Sequence, residues 1–246
     1  MSESMDGKSV TAMRTPESEI ARRLERWIAR AATELGWKAT DRARRQERML
    51  ASLAGSGPRA EKLAVELERL AGKLKPANAR EARRLAGLVR IRGRAGTPAE
   101  PSEIVRALVE ALAPALAFES ATGFVYEREG GQLTPVFAAG SHVDLIPDIH
   151  FDSGAGFSSW VAKTRRPVLL SAFREDPIGV PVERPASFLS VPILVEDDLV
   201  AVLNFAHRRP GTFTVSDRDL VLLAGRIAGP GFVRAPWSPE LTTRTA

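Results

Sequence analysis

The first hundred residues show the three-to-four-residue spacing of apolar side chains that is typical of amphipathic helices. A helix is predicted to begin at Thr15, a capping residue followed by proline, and to end at Gly36. A second helix is predicted at 40–53, and a break rich in glycine at 55–58 separates it from a third. The third helix carries a narrow heptad seam formed by Ala60, Leu63, Leu67, Leu70 and Leu74. A fourth helix is predicted to end near Gly93.

Helices of this length that carry a single apolar stripe are marginally stable in isolation. They must bury that stripe against one another, against the rest of the chain or against a second copy of it. We therefore predict that residues 15–93 form an all-α helical bundle or coiled-coil module. Such a module is expected to associate with itself or to bind a partner protein.

From residue 102 onward, short apolar runs alternate with helical segments. Helices are predicted at 102–112 and 154–163, and a last helix is expected to stop at the Gly-Pro-Gly sequence that begins at Gly229. Strands are predicted at 122–127, 133–139, 167–170, 187–195 and 199–206. This order predicts an α+β fold in which helices flank an antiparallel sheet.

Charge divides the chain at the same place as the hydrophobic pattern. Residues 1–100 hold 22 basic and 13 acidic side chains, whereas residues 101–246 hold 13 and 17, so the net charge of +5 originates in the first part. The coincidence of the two changes favours two modules. The predicted divisions are a disordered N-terminus at 1–14, a basic helical module at 15–93, a linker at 94–101, a sheet domain at 102–229 and a C-terminal tail at 230–246.

Composition removes several classes of chemistry. The chain has no cysteine, which excludes disulfides, thiolate nucleophiles, cysteine-ligated zinc and thioether-linked pigments. No serine stands in a nucleophile-elbow sequence, so no catalytic activity is expected. No apolar run reaches the about 18 to 20 residues of a membrane span, and the polar start does not resemble a signal peptide. A cytoplasmic, non-enzymatic protein is predicted.

Four sequence blocks of the second module carry a family resemblance. They are ATGFVYE at 121–127, GAGFSSWVAKTRRPV at 154–168, ASFLSVPI at 186–193 and VLNFAHRRPGTFTVSD at 202–217. Together they make residues 102–229 resemble a GAF domain, a small-molecule-sensing relative of the PAS fold. The resemblance implies a ligand site between the sheet and the helices and loops on one face, and a signal passed to an attached effector. Residues 15–93 carry no comparable resemblance.

The resemblance also implies a set of candidate ligand contacts. Members bind cyclic nucleotides, haem, bilins or metabolites, and many have no known ligand, so the cofactor stays unknown. A covalent bilin and the family's cysteine-dependent methionine-sulfoxide reductase activity both require cysteine, which this chain lacks. Haem is not expected, although a loop histidine serves as its ligand in some relatives. The candidate pocket residues are Tyr126, Phe137, His150, Ser153, Gly154, Gly156, Phe157, Trp160, Phe188 and Ser190.

These candidates have structural alternatives. The glycine-rich turn that includes Gly154 and Gly156 precedes a helix, whose free N–H groups attract anions, but it also serves as a simple turn. The aromatic candidates either line a cavity or fill the core. The polar ends of Tyr126 and Ser190 would orient a ligand.

Members that bind cyclic nucleotides share an Asn-Lys, Phe, Asp-Glu signature near the end of the domain. Asn204, Phe213 and Asp217 match its spacing, whereas Phe205 replaces the lysine and Arg218 replaces the glutamate. The lysine–aspartate ion pair of that signature is therefore missing, and cyclic-nucleotide binding is not expected.

Asp217 itself has two interpretations. It is predicted to cap the last helix together with Thr214, which stands three residues before it. The alternative is an ion pair with Arg208 or Arg209, which would partly replace the missing lysine.

The function predicted from the sequence is that of a sensor or adaptor. Because the chain ends shortly after its last helix, we expect the signal to leave through the N-terminal helices or a partner protein. One alternative is a regulatory nucleic-acid binder that contacts phosphates through the basic helices. Its candidate residues are Arg42, Arg44, Arg45 and Arg48. A second alternative is a ligand-free GAF domain that serves as a dimerisation scaffold.

Overall fold

The computed structural model describes residues 15–97, 99–128, 130–140, 150–151, 154–171 and 186–234. The helices are α1 (Pro16–Glu34), α2 (Ala39–Ala54), α3 (Pro58–Ala71), α4 (Pro76–Arg94), α5 (Pro101–Leu112), α6 (Gly156–Thr164) and α7 (Val215–Arg234). The strands are β1 (Ser120–Glu127), β2 (Gln132–Gly140), β3 (His150–Phe151), β4 (Gly154–Ala155), β5 (Val168–Leu170), β6 (Ser187–Val195) and β7 (Asp198–His207). The predicted N-terminus at 1–14 and most of the predicted tail lie outside the described residues.

Five strands form one antiparallel sheet in the order β2-β1-β7-β6-β5, and β3 pairs separately with β4. The apolar, β-branched runs of β6 and β7 make them the buried centre of this sheet, with β1 on the other side of β7. Helices flank the sheet, and the four helices α1–α4 precede it in the chain. This arrangement confirms the predicted α+β class with a helical N-terminal segment.

Helix α1 is capped and packed as its sequence predicts. Thr15 caps α1 by accepting a hydrogen bond from the backbone N–H of Ser18 at 3.3 Å, and Pro16 takes the first helical position. The stripe of α1 is buried, and its Trp27 donates a hydrogen bond from Nε1 to the carbonyl of Asn78 on α4 at 3.0 Å. An aromatic side chain buried with its N–H satisfied fixes α1 against α4.

The hairpin of α3 and α4 combines an apolar seam with an ion-pair cluster. Four of the five predicted seam residues, Ala60, Leu63, Leu67 and Leu70, are buried, whereas Leu74 is half-buried and lies beyond the end of α3. On the polar side, the Arg90 guanidinium contacts Glu61 at 3.1 Å and Glu68 at 3.0 Å. Its hydrogen bonds hold the pKa of the Glu68 carboxyl below the usual value.

Helix α4 joins the N-terminal helices to the sheet domain. It packs against both α5 and α7, and the buried apolar residues of α1–α5, the sheet and α7 form one continuous cluster. Gly87 makes the contact with α5 possible, because a Cβ placed there would lie 2.4 Å from the carbonyl oxygen of Ala111. The N-terminal helices therefore lie directly against the elements that support the sheet.

Several helix boundaries differ from the sequence prediction, among them the start of α6 at Gly156 rather than at 154, and two of the differences have a clear physical cause. Helix α5 begins at Pro101 rather than at 102, since Glu100 is its N-cap and forms a capping box with Glu103. Helix α7 continues through Pro230 to Arg234 instead of stopping at Gly229. Proline removes one helical hydrogen bond, yet here it lies in the last turns. The neighbouring Gly229 allows close packing, because a Cβ there would meet Val195 of β6 at 3.1 Å.

In the part of the chain that the structure describes, none of the helices is both long and apolar enough to cross a membrane.

Candidate functional site

The two faces of the sheet are covered by different helices. Alternate residues of a strand point to opposite faces. On β7, Leu203 and Phe205 join the core formed with α5 and α7, whereas Val202 packs with Val161 of α6 and Asn204 bonds to α6. We call the surface covered by α6 the α6 face.

A row of polar side chains crosses the centre of the α6 face. Thr122 on β1 and Ser190 on β6 are the register partners of Asn204 on β7, so the three lie side by side across adjacent strands. All three are buried, and Asn204 and Ser190 are 0% exposed. Above them, Asn204 donates a hydrogen bond from Nδ2 to Oγ of Ser158 on α6 at 2.7 Å. We call Thr122, Asn204 and Ser190 the polar row.

Each member of the polar row has a buried atom without a hydrogen-bond partner among the described residues. These atoms are Thr122 Oγ1, Ser190 Oγ and Asn204 Oδ1. A buried polar atom left unpaired costs about 1–3 kcal/mol, and such atoms in native proteins nearly always have a protein or solvent partner. Three of them on neighbouring strands make the polar row the candidate binding site of this face.

Apolar contacts border the polar row along the strands in both directions. Toward one end, Phe188 of β6 packs on Phe157 of α6 with ring centroids 5.2 Å apart. Toward the other end, Tyr126 of β1 and Trp160 of α6 belong to a second apolar cluster. Helix α6 thus contributes Phe157, Ser158 and Trp160 to the same face.

The structure brings together five of the ten candidates chosen from the sequence: Tyr126, Phe157, Trp160, Phe188 and Ser190. Gly156 opens α6 with a φ of 81°, a backbone conformation that favours glycine. Gly154 lies in β4, and the backbone of His150 lies in β3, opposite Ala155. Ser153 lies outside the described residues.

Phe137 is placed on the opposite face, and its assignment to the pocket is corrected here. It packs against the large core, and the Arg106 guanidinium of α5 lies 5.4 Å from its ring centroid. A bulge at Val136 is the reason, since Gly123 pairs with Phe137 while the next residue, Phe124, pairs with Pro135. One extra residue reverses the side to which the following side chains point.

Thr122 and Asn204 were missed as pocket residues in the sequence analysis. The available signal was a polar side chain at an inward position of an otherwise apolar strand. Asn204 stands in the run VLNFA, and Thr122 stands in ATGFV. Periodicity alone assigns them to a face, but only the pairing of the strands places them beside Ser190.

Asp217 obtains its ion pair from outside the sheet domain. Its Oδ1 lies 2.5 Å from Nη2 of Arg84 on α4, and both side chains are buried. Its Oδ2 accepts a hydrogen bond from the backbone N–H of Thr214 at 2.9 Å, as expected for the predicted cap. Arg208, the sequence-based alternative, is 3.4 Å from Glu119 instead. The cation that faces this aspartate therefore comes from the N-terminal helices.

The arginines proposed to contact nucleic acid are divided between two environments. Arg45 stacks over Trp37 at 4.7 Å and lies 3.7 Å from Glu66, and Arg48 bonds to the same carboxylate at 2.6 Å. Arg42 and Arg44 are exposed on α2. Nucleic-acid binding stays a prediction, with two of its four cations already engaged within the protein.

Comparison with known protein families gives a match to the sheet domain. The family model described as GAF domain matches residues 98–230, which is more than half of the chain. No curated protein matches the chain.

Among solved structures, the GAF domain of an Acinetobacter phosphoenolpyruvate-protein phosphotransferase is similar at 16% identity and a TM-score of 0.47. That alignment covers 59% of this chain and 90% of the other. A free methionine-R-sulfoxide reductase from Neisseria meningitidis, solved with its substrate, is similar at 12% identity and a TM-score of 0.49. Here the alignment covers 61% of this chain and 89% of the other.

Proposed function

Because this chain belongs to the GAF domain family, we propose that it is a non-enzymatic intracellular regulatory protein that senses an uncharged polar small molecule. The ligand binds beneath α6 against the polar row. Its occupancy is passed to the N-terminal helices, which act on a partner protein or on a second copy of the chain.

The observation that carries this proposal is the set of three unpaired atoms on the polar row. Asn204 Oδ1 only accepts hydrogen bonds, whereas the hydroxyls of Thr122 and Ser190 both donate and accept. The ligand must therefore offer at least one N–H or O–H group. The described buried residues of the α6 face include no charged side chain, which favours a neutral ligand such as an amide, a nucleobase or a polyol.

The proposed signal passes from the polar row to the N-terminal helices along the chain and through one ion pair. Strand β7 carries Asn204 and leads through the buried Phe213 to the first turn of α7. There Asp217 binds Arg84 of α4. A ligand that shifts β7 relative to α6 would change the position of α7 against α4, and the N-terminal helices would respond.

The residues at the site support the proposal that this protein is not an enzyme. The chain has no cysteine, so a thiol-based reaction at this site is not available to it. The polar row supplies two hydroxyls and an amide. Activation of a hydroxyl as a nucleophile requires an adjacent general base, and the described buried residues of the α6 face supply none.

Replacing Thr122 with valine tests the site through its effect on stability with and without ligand. Valine has nearly the same shape but no hydroxyl, so the ligand-free protein is expected to be more stable by about 1 kcal/mol, or about 2–4 °C in Tm. Neutral ligands found by thermal-shift screening of amides, nucleobases and polyols should lose their stabilising effect on this variant. The same loss is expected for Ser190→Ala.

Thr134→Val is the matched control. Its hydroxyl lies on β2 in the same sheet but donates a hydrogen bond to Glu127, so its removal should lower Tm and leave ligand stabilisation intact. A Thr122→Val variant that is destabilised as strongly as Thr134→Val would contradict the proposal. Stabilisation of the native protein by anions alone would contradict the proposed ligand class.

Native mass spectrometry of the purified chain separates this proposal from the dimerisation scaffold. A sensor that retains its ligand shows a discrete mass above that of the polypeptide, and the extra mass disappears in Asn204→Leu. A ligand-free scaffold shows a dimer with twice the mass of the polypeptide, both for the unaltered chain and for Asn204→Leu.

A further inference from the structure

A cavity of about 280 Å³ lies where the N-terminal helices meet the sheet domain, away from the α6 face. Its lining comes from the end of α4, the connection to α5, and the helices α5 and α7, which here contribute Ile91, Ile104, Leu108 and Ala228. We call it the junction cavity. Its volume is close to the lower bound of about 300 Å³ for small-molecule pockets in proteins.

Small side chains keep the junction cavity open. Alanine occupies positions 95, 99, 107 and 228 of its lining, and glycine occupies position 231. At Gly231 a Cβ would already lie 3.1 Å from Cδ1 of Ile104. The apolar residues around it leave a space that an apolar chain fills with favourable burial of surface.

Two charged residues line the junction cavity, and only one of them is engaged. Glu103 accepts a hydrogen bond from the backbone N–H of Glu100 at 3.1 Å and so completes the cap of α5. Arg94 is exposed at the end of α4 and has no ion-pair partner among the residues that the structure describes. The Glu103 carboxylate is held at the cap of α5, so the charged group left to bind a ligand is the Arg94 guanidinium, which is complementary to a carboxylate.

We propose that the junction cavity is a second binding site, which takes a medium-chain carboxylate. The alkyl chain lies between α5 and α7, and the carboxylate binds the Arg94 guanidinium. Because the lining comes from both sides of the junction, occupancy fastens α4 to the sheet domain. This proposal does not depend on the ligand of the α6 face.

Isothermal titration calorimetry with octanoate tests the site on the full chain. Octanoate is expected to bind about tenfold more tightly than hexanoate, since each buried methylene adds apolar surface. Arg94→Gln should weaken octanoate binding by about tenfold or more and leave the binding of octanol unchanged. Ala107→Leu fills the cavity and should abolish the binding of both.

Arg80→Gln is the matched control, because it removes the same charge from the same helix, 14 positions or about 21 Å from Arg94. This variant should bind octanoate as the unaltered chain does. Asn204→Leu should also leave octanoate binding unchanged, which separates this site from the α6 face.

Absence of octanoate binding to the full chain overturns the proposal, as does equal weakening by Arg94→Gln and Arg80→Gln. Binding that emerges only after residues 236–246 are deleted overturns it too, because the chain itself would then be the occupant.

Discussion

Replacing Arg84 with alanine is expected to destabilise the protein by about 3–5 kcal/mol. The substitution leaves the Asp217 carboxylate, which is only 4% exposed, without the guanidinium that lies 2.5 Å from it. A buried charge without its partner carries a desolvation cost that no solvent contact offsets. Urea denaturation of both proteins, followed by circular dichroism, measures the difference.

The double variant Arg84→Met with Asp217→Asn identifies the cause. Asparagine keeps an oxygen that can accept the hydrogen bond from Thr214, and methionine keeps most of the arginine's apolar bulk. This pair should recover most of the lost stability, because no unpaired charge remains buried. Arg83→Ala, which removes the exposed neighbouring arginine, should change stability by no more than about 0.5 kcal/mol. If Arg84→Ala were no worse than Arg83→Ala, the ion pair would have no role in joining α4 to α7.

Replacing Gly87 with alanine is expected to cost about 1–3 kcal/mol, although alanine is the better helix former by about 1 kcal/mol. The new Cβ would lie 2.4 Å from the carbonyl oxygen of Ala111, and a backbone atom cannot move aside as a side chain does. Helix α4 must therefore separate from α5. Differential scanning calorimetry measures the lower Tm, and proteolysis of the connection between the two helices should accelerate.

Gly72→Ala is the control for helix propensity. Gly72 lies at the end of α3 with a φ of −63°, and a Cβ there would make an ordinary contact of 3.6 Å. This variant should be neutral or slightly stabilised. A Gly87→Ala protein that is stabilised to the same degree would show that α4 and α5 are not closely packed in solution.

The elements of this fold could be predicted from the sequence where one local pattern dominates. Helix α1 has a clear apolar stripe and the Thr15 cap, and strands β6 and β7 have long apolar runs. Each of these local patterns is strong enough to determine the type of element on its own. The candidate site was predicted less completely. The bulge at Val136, which turns Phe137 away from the α6 face, has no signal in the sequence.

Contacts between distant parts of the chain account for the remaining differences. The partner of Asp217 was sought among neighbouring arginines, whereas the true partner, Arg84, stands 133 positions earlier. The Gly-Pro-Gly sequence at Gly229 predicts the end of α7, but packing on β6 and α5 holds the following turn. Contacts between residues far apart in the chain produce no periodic pattern in the sequence, so they could not be predicted from such a pattern.

The outermost strands of the sheet restrict how copies of this protein can associate. At one margin, β2 carries Pro135, which has no N–H to offer, and the bulge at Val136 interrupts its ladder. At the other margin, β5 is only three residues long. Both features are those by which natural sheets resist edge-to-edge joining and fibre formation. Within the part of the sheet that the structure describes, assembly by strand addition is therefore disfavoured at both edges.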